Sequence, residues 1–142
     1  MAKFFSTLLL MLMIFNTNIY AQKSFYDTKN KKAIKFYENA LNCFNTIDVY
    51  SGKGDLLGAE SFVNKALSKD SMFGQAYSLA SKISIEKGDI HKAILYKQKM
   101  IEVSNIVPLI EYFFLAGMQI SIGDYQSCLK NAKKYKSSPM AD

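Results

Sequence analysis

The dipeptide Gly-Asp recurs along this chain at nearly equal intervals. It occurs at 54–55, 88–89 and 123–124, so the two spacings are 34 and 35 residues. A small residue follows each Asp four positions later, at Ala59, Ala93 and Cys128. Self-similarity with a period of about 20–50 residues is the signature of an array of repeated structural units. The interval therefore predicts a repeat architecture for most of the chain.

Each residue type at these corners has a physical role in joining two helices. Glycine ends a helix at low cost because it adopts the left-handed backbone conformation that a Cβ atom disfavours. Aspartate begins the next helix by accepting hydrogen bonds from its free N–H groups. The small residue one turn later lets two helix backbones approach closely. The corners therefore predict helical hairpins.

The segments between the corners carry apolar residues at helical spacing, as Met72, Phe73, Ala76 and Ala80 do. Pro108 opens another such segment, at a position that favours proline. In the first unit, Lys32–Phe44 is either the first helix of a pair, with Ile47–Gly54 as an extended turn, or a single leading helix that caps the array. We favour the pair and predict an all-α fold of about three helix pairs, with helices near 27–46, 55–68, 72–87, 89–103, 108–121 and 125–136.

This pattern resembles the tetratricopeptide repeat (TPR), a unit of 34 residues with an aromatic and a small pair in its first helix. The matching positions are Tyr77 with Ala80-Ser81, Tyr112 with Leu115-Ala116, and the small residues Ala59, Ala66 and Ala93 of the second helices. Met100, Cys128 and Tyr135 depart from the small residues of the family pattern, and its proline after the second helix is absent. The resemblance covers about 28–136 and implies a right-handed α-α solenoid that binds a protein or peptide and needs no cofactor.

The first 21 residues have the pattern of a signal peptide. Lys3 precedes an apolar stretch at Phe4–Phe15, and Ile19-Tyr20-Ala21 forms a small-residue cleavage site. The stretch is shorter than the roughly 20 residues of a membrane-spanning helix, although an uncleaved anchor is the alternative. We therefore divide the chain into a signal peptide (1–21), a helical-repeat domain (22–136) and a tail or start of a linker (137–142), and we expect export to the periplasm or outer membrane.

A leader followed by a short TPR block is also similar to the start of a larger group of exported bacterial proteins. In that group a β-propeller and an OmpA-like peptidoglycan-binding domain follow, and some members work in type IX secretion. The matching features here are the leader, the AIKFYENAL segment and the DSMFGQAY segment. The resemblance implies an alternative role as the N-terminal structural module of a peptidoglycan-anchored, outer-membrane-associated complex.

Composition argues against nucleic-acid binding and against catalysis. All 18 basic residues are lysine, they are scattered, and the net charge is +6; nucleic-acid binding usually shows clustered arginine with stacking aromatics. His91 is the only histidine, so it can supply neither a zinc site nor a partner for a nucleophile. We expect His91 at the surface, and no enzyme, metal site or cofactor site.

Cys43 and Cys128 fall in the first and last helical segments. Each unit of a repeat array contacts only its neighbours, so the two sulfurs should be too far apart for a disulfide. We expect two free, buried thiols.

The candidate binding surface follows from the same register. In a curved stack the first helices of the pairs line a groove suited to a peptide. The apolar residues among the groove-facing positions either bind a partner or pack between units. The helix at 108–121 has more apolar residues than one buried stripe requires. The groove-facing positions are Gln75, Ser78, Lys82, Ile85 and Glu86 in the middle unit, and Ile110, Phe113, Gly117 and Ile120 in the last.

Overall fold

The computed structural model describes residues 26–46, 54–105 and 107–136, and every regular element in these ranges is an α-helix. The fold is therefore all-α, as the sequence predicts. The predicted signal peptide (1–21), the tail (137–142) and most of the turn after the first helix lie outside the described residues. The six helices are α1 (Lys31–Asn45), α2 (Leu56–Lys69), α3 (Gly74–Glu86), α4 (Ile90–Val103), α5 (Leu109–Ser121) and α6 (Tyr125–Lys136).

Two of the three Gly-Asp corners, at 88–89 and 123–124, follow directly on a helix end as the sequence predicts, whereas α1 ends at Asn45, before Gly54. Gly88 and Gly123 both have a φ of 77°, the left-handed region in which a Cβ atom is strained. After each corner the aspartate accepts a hydrogen bond from the backbone N–H three residues later. The distances are 2.8 Å from Gly58 to Asp55, 3.0 Å from Lys92 to Asp89 and 3.1 Å from Ser127 to Asp124. Local capping chemistry therefore sets where the second helix of each unit begins.

Glycine at 54 also serves close packing. A Cβ atom placed on Gly54 would lie 2.2 Å from the backbone oxygen of Phe44. Next to it, the N–H of Asp55 donates to the carbonyl of Cys43 at 2.9 Å. The corner before α2 thus packs directly on the end of α1, where no larger residue fits.

The prediction that the first helix begins near residue 27 is wrong, because α1 begins at Lys31. The side chain of Asn30 caps it by accepting from the N–H groups of Lys32 and Ala33 at 3.1 and 3.2 Å. The same side chain donates to the carbonyl of Lys69 at 2.8 Å. Residues 26–30 are therefore held across the corner between α2 and α3.

The helices pack as three hairpins. α1 lies against α2, α3 against α4 and α5 against α6, and successive hairpins meet through α2–α3 and α4–α5. The first helix therefore belongs to a pair and is not a single leading helix. α1 also contacts α3, whereas no Cα atom of α5 lies within 8 Å of one in α3. The third hairpin is joined to the second mainly through α4.

The core lies between the first two hairpins and is built largely from alanine. Fully buried alanines let the helix backbones approach, and Phe73, at 0% exposure, fills the space at the corner before α3. The Phe73 ring lies 5.0 Å from that of Tyr37 and 6.2 Å from that of Tyr26, centroid to centroid. The buried alanines of the first two hairpins are Ala33, Ala40, Ala59, Ala66, Ala76, Ala80 and Ala93.

Ion pairs connect successive hairpins. Glu60 of α2 binds Lys87, after α3, and Lys92 of α4, the latter at 2.6 Å. Lys97 of α4 binds Glu111 of α5 at 2.6 Å, and only 7% of the Lys97 side chain is exposed. Each interface between hairpins therefore contains a charged contact in addition to apolar packing.

The two cysteines are free, as expected, but each is half-buried and not fully buried. Cys43 lies near the end of α1 and Cys128 in α6, so they belong to the first and last described hairpins. Each of these hairpins is packed against another hairpin on one side only. That position leaves part of each thiol accessible.

Candidate functional site

The predicted surface residues of α3 lie along one face of that helix. Gln75 and Ser78 are half-buried, whereas Lys82 and Glu86 are exposed and Ile85 is 42% exposed. The opposite face of α3 carries the buried core residues. This face of α3 is thus mainly polar.

The predicted surface residues of α5 are accessible and apolar. The exposed fractions are 48% for Ile110, 61% for Phe113 and 52% for Ile120, and a Cβ atom on Gly117 would meet no atom within 4 Å. Packing between hairpins therefore does not account for these side chains. They face away from Leu115, Ala116 and Gln119, the buried residues of α5.

The accessible face of α5 is larger than the sequence indicated. Phe114 is 54% exposed, and its ring lies 6.3 Å from that of Phe113 with the planes at 66°. Sequence reasoning counted Phe114 among the apolar residues of this helix but did not place it on the surface. Its signal was the small number of strongly polar residues in this helix, where only Glu111, Gln119 and Ser121 interrupt the apolar residues. We call Ile110, Phe113, Phe114 and Ile120 the α5 apolar face.

The structure places Gln75 and Ser78 of the predicted α3 set near the start of α5, but none of the predicted α5 positions lines the cavity between them. A cavity of about 250 Å³ is lined by Gln75 and Ser78 from α3 and by Pro108 and Glu111 at the start of α5. Lys82, Ile85 and Glu86 lie further along α3 and are not among the residues that line this cavity. The two hairpins therefore share the lining of one cavity, which includes only the first two of the predicted α3 positions.

Asp27 is a lining residue of this cavity that sequence reasoning missed. Its backbone N–H donates to Oε1 of Gln75 at 3.1 Å, which fixes the segment 26–30 against α3. Burial raises the pKa of the Asp27 carboxyl, although hydrogen bonds from the backbone at Gln75 and Gly74 act in the opposite direction. No sequence pattern links two residues that are 48 positions apart, so only the fold reveals this contact.

His91 is exposed, as expected. Across 26–46, 54–105 and 107–136, no group of three or more His, Cys, Asp or Glu side chains is placed to hold a metal ion. In the same ranges, no helix has both the length and the apolar character to span a membrane. The described helices present a mainly polar face on α3 and an apolar face on α5.

Comparisons with family models, with curated proteins and with solved structures find no match to this chain.

Proposed function

We propose that this chain is a non-catalytic adaptor that binds another protein through the α5 apolar face. In this proposal the hairpins form a right-handed TPR-like solenoid, and the protein is exported to the periplasm or to the outer membrane. The proposal involves no nucleic acid and no cofactor. The leader pattern and the TPR resemblance support its location and architecture, and the exposed face of α5 supports its activity.

The observation that carries the proposal is the exposure of four large apolar side chains on one helix. Ile110, Phe113, Phe114 and Ile120 are each about half exposed or more. Large contiguous apolar surfaces are uncommon on monomeric proteins and usually mark sites of interaction. Phenylalanine is also enriched at the centres of protein interfaces, where it displaces much water for few rotatable bonds.

The middle hairpin offers an internal comparison. Gly88 and Gly123 are 35 residues apart, and at that shift Gln75 and Ser78 of α3 correspond to Ile110 and Phe113 of α5. The same two positions are polar in one hairpin and apolar in the next. The change indicates that the third hairpin supplies the apolar contacts of the interface, while α3 contributes polar contacts at its edge.

The test compares two double variants that each truncate two exposed apolar side chains. Ile110→Ala with Phe113→Ala truncates the α5 apolar face. Leu57→Ala with Leu95→Ala truncates side chains that are 75% and 61% exposed on α2 and α4, and serves as the control. Each purified protein is used to capture partners from a cell-envelope fraction, and the recovered proteins are quantified by mass spectrometry.

The proposal predicts a defined partner that wild type and the control recover equally and that the α5 variant recovers at least about tenfold less, as expected for interface anchors. Equal recovery by all three proteins would contradict the role of the α5 apolar face. Recovery of cytosolic proteins alone would contradict the location in the envelope.

A second candidate is a structural role as the N-terminal module of a larger peptidoglycan-anchored, outer-membrane-associated complex, such as a component of type IX secretion. The observation in its favour is that α6 exposes Tyr125 by 64% and Leu129 by 57%, surfaces that a further element could cover. Sequencing the natural gene tests it. A reading frame that continues past Asp142 into a β-propeller or OmpA-like domain supports it, and a stop codon directly after Asp142 contradicts it.

A further inference from the structure

A cleft of about 470 Å³ lies between α4, α5 and α6, on the side of α5 opposite its apolar face. Its volume is within the range of about 300–1,000 Å³ that is usual for ligand sites. Gln98, Glu102 and Lys130 form an exposed rim, whereas Leu115 and Gln119 are 2% and 1% exposed. The cleft is therefore open at the top and has a buried floor.

The floor carries a buried polar atom that the surrounding residues do not satisfy. Oε1 of Gln119 accepts a hydrogen bond from Nδ2 of Asn131 at 2.8 Å. Nε2 of Gln119 is buried and has no hydrogen-bond partner among the described residues. Leaving a buried donor unsatisfied is unfavourable, so the site gains from any acceptor that enters the cleft.

The preceding pair of hairpins shows what fills the equivalent space. At the 35-residue shift, Tyr77 and Tyr96 of the second hairpin correspond to Tyr112 and Asn131 of the third. The rings of Tyr77 and Tyr96 lie 6.2 Å apart, and Tyr96 packs against the core. The third hairpin keeps the first tyrosine and has an asparagine in place of the second. The cleft opens where the array lacks this ring.

The 35-residue register and the unpaired amide donor of Gln119 together indicate which chemical group would fill the cleft. The repeat places a phenol ring beside the first tyrosine, and the Gln119 amide supplies a donor at the buried end of the cleft. Ile101, Tyr112 and Leu115 provide apolar lining for the ring. We propose that this cleft binds the tyrosine side chain of a partner polypeptide, with the phenol oxygen accepting from Nε2 of Gln119. This site lies apart from the α5 apolar face and goes beyond the adaptor function proposed above.

Binding is measured with p-cresol, which is the side chain of tyrosine without its backbone, by following the amide NMR signals of the complete chain. Toluene, which lacks the hydroxyl, is the matched ligand. The proposal predicts saturable shifts for residues around Gln119 and Asn131, and about tenfold weaker binding of toluene, the difference expected for one hydrogen bond to a buried donor. A tripeptide Ala-Tyr-Ala with blocked ends should bind at the same residues, and its Phe counterpart more weakly.

Two variants test the assignment independently. Asn131→Tyr restores the ring of the preceding hairpin, so it should abolish the binding of p-cresol and raise the unfolding temperature. Gln119→Met removes the donor and keeps the shape, so it should bind p-cresol and toluene equally. It also keeps the test decisive if the first variant does not fold.

Three results would overturn the proposal. The first is the absence of saturable binding of p-cresol, which would mean that water alone satisfies the Gln119 amide. The second is equal binding of p-cresol and toluene by wild type. The third is binding of p-cresol without binding of the tyrosine peptide, because the cleft would then accept a free phenol and not a side chain.

Discussion

The ion pair between Lys97 and Glu111 should contribute more to stability than an ion pair exposed at the surface. Its nitrogen and oxygen are 2.6 Å apart, and only 7% of the lysine side chain and 21% of the glutamate side chain are exposed. Replacing Glu111 by Ala would leave the Lys97 ammonium buried without its counter-ion. Removing one partner of a buried pair lowers the free energy of unfolding by about 3–5 kcal/mol. Because Glu111 is partly exposed, the expected loss is at the lower end, about 3 kcal/mol.

The chain offers an exposed pair as a matched control. Lys99 and Glu102 are 2.8 Å apart on α4, with 53% and 65% of their side chains exposed. Such pairs contribute about 0–1 kcal/mol, so Glu102→Ala should have almost no effect. Lys97→Met removes the buried charge itself, so the double variant with Glu111→Ala should recover most of the stability that Glu111→Ala loses.

The assays are urea unfolding and thermal unfolding followed by circular dichroism, with all four variants compared at pH 7 and one salt concentration. A loss of about 3 kcal/mol corresponds to a fall of roughly 12 °C in the unfolding temperature for a domain of this size. The reasoning is refuted if Glu111→Ala and Glu102→Ala lower the free energy of unfolding by the same amount. It is also refuted if Lys97→Met does not rescue Glu111→Ala.

Two further predictions concern a corner and a contact between hairpins. Gly88→Ala should destabilise the fold by about 1–2 kcal/mol, because its φ of 77° strains any residue with a Cβ atom. Gly117→Ala, in an open helical position, should stabilise the fold by about 0.5–1 kcal/mol. Unfolding temperatures that shift in the same direction for both variants would contradict this. Hydrogen bonds from Lys87 and Lys92 lower the pKa of Glu60, so its stabilising contribution is present above the ordinary value of about 4.3 and is lost as pH falls through the lowered pKa. Glu60→Gln should therefore cost about 1 kcal/mol at pH 7 and progressively less below pH 4, and a difference from wild type that does not change between pH 7 and pH 2.5 would contradict it.

The helices could be predicted from the sequence because their ends depend on local chemistry. Asp55, Asp89 and Asp124 each cap a helix through an N–H three residues away, so the signal lies within one turn of chain. Gly88 and Gly123 set the preceding helix ends through their own backbone angles. A repeat of such local signals predicts the elements and their pairing.

The start of α1 and the residues that line the cavities depend on contacts between residues that are distant in the sequence. Asn30 begins α1 where it does partly because it also binds Lys69, 39 residues away, and Asp27 reaches Gln75 across 48. No local pattern signals these partners. The repeat register alone predicts the groove-facing positions. It does not predict the exposure of Phe114, which depends on how α5 packs against α4 and α6.

The central claim is that corners at near-equal intervals divide this chain into hairpins of helix. Backbone ¹³C chemical shifts of the labelled protein test it most directly. The account predicts helical shifts for the six segments, interrupted at Lys87–Asp89 and Ile122–Asp124, with left-handed values at the two glycines. Continuous helical shifts through either corner, or extended-strand shifts on its two sides, would contradict it.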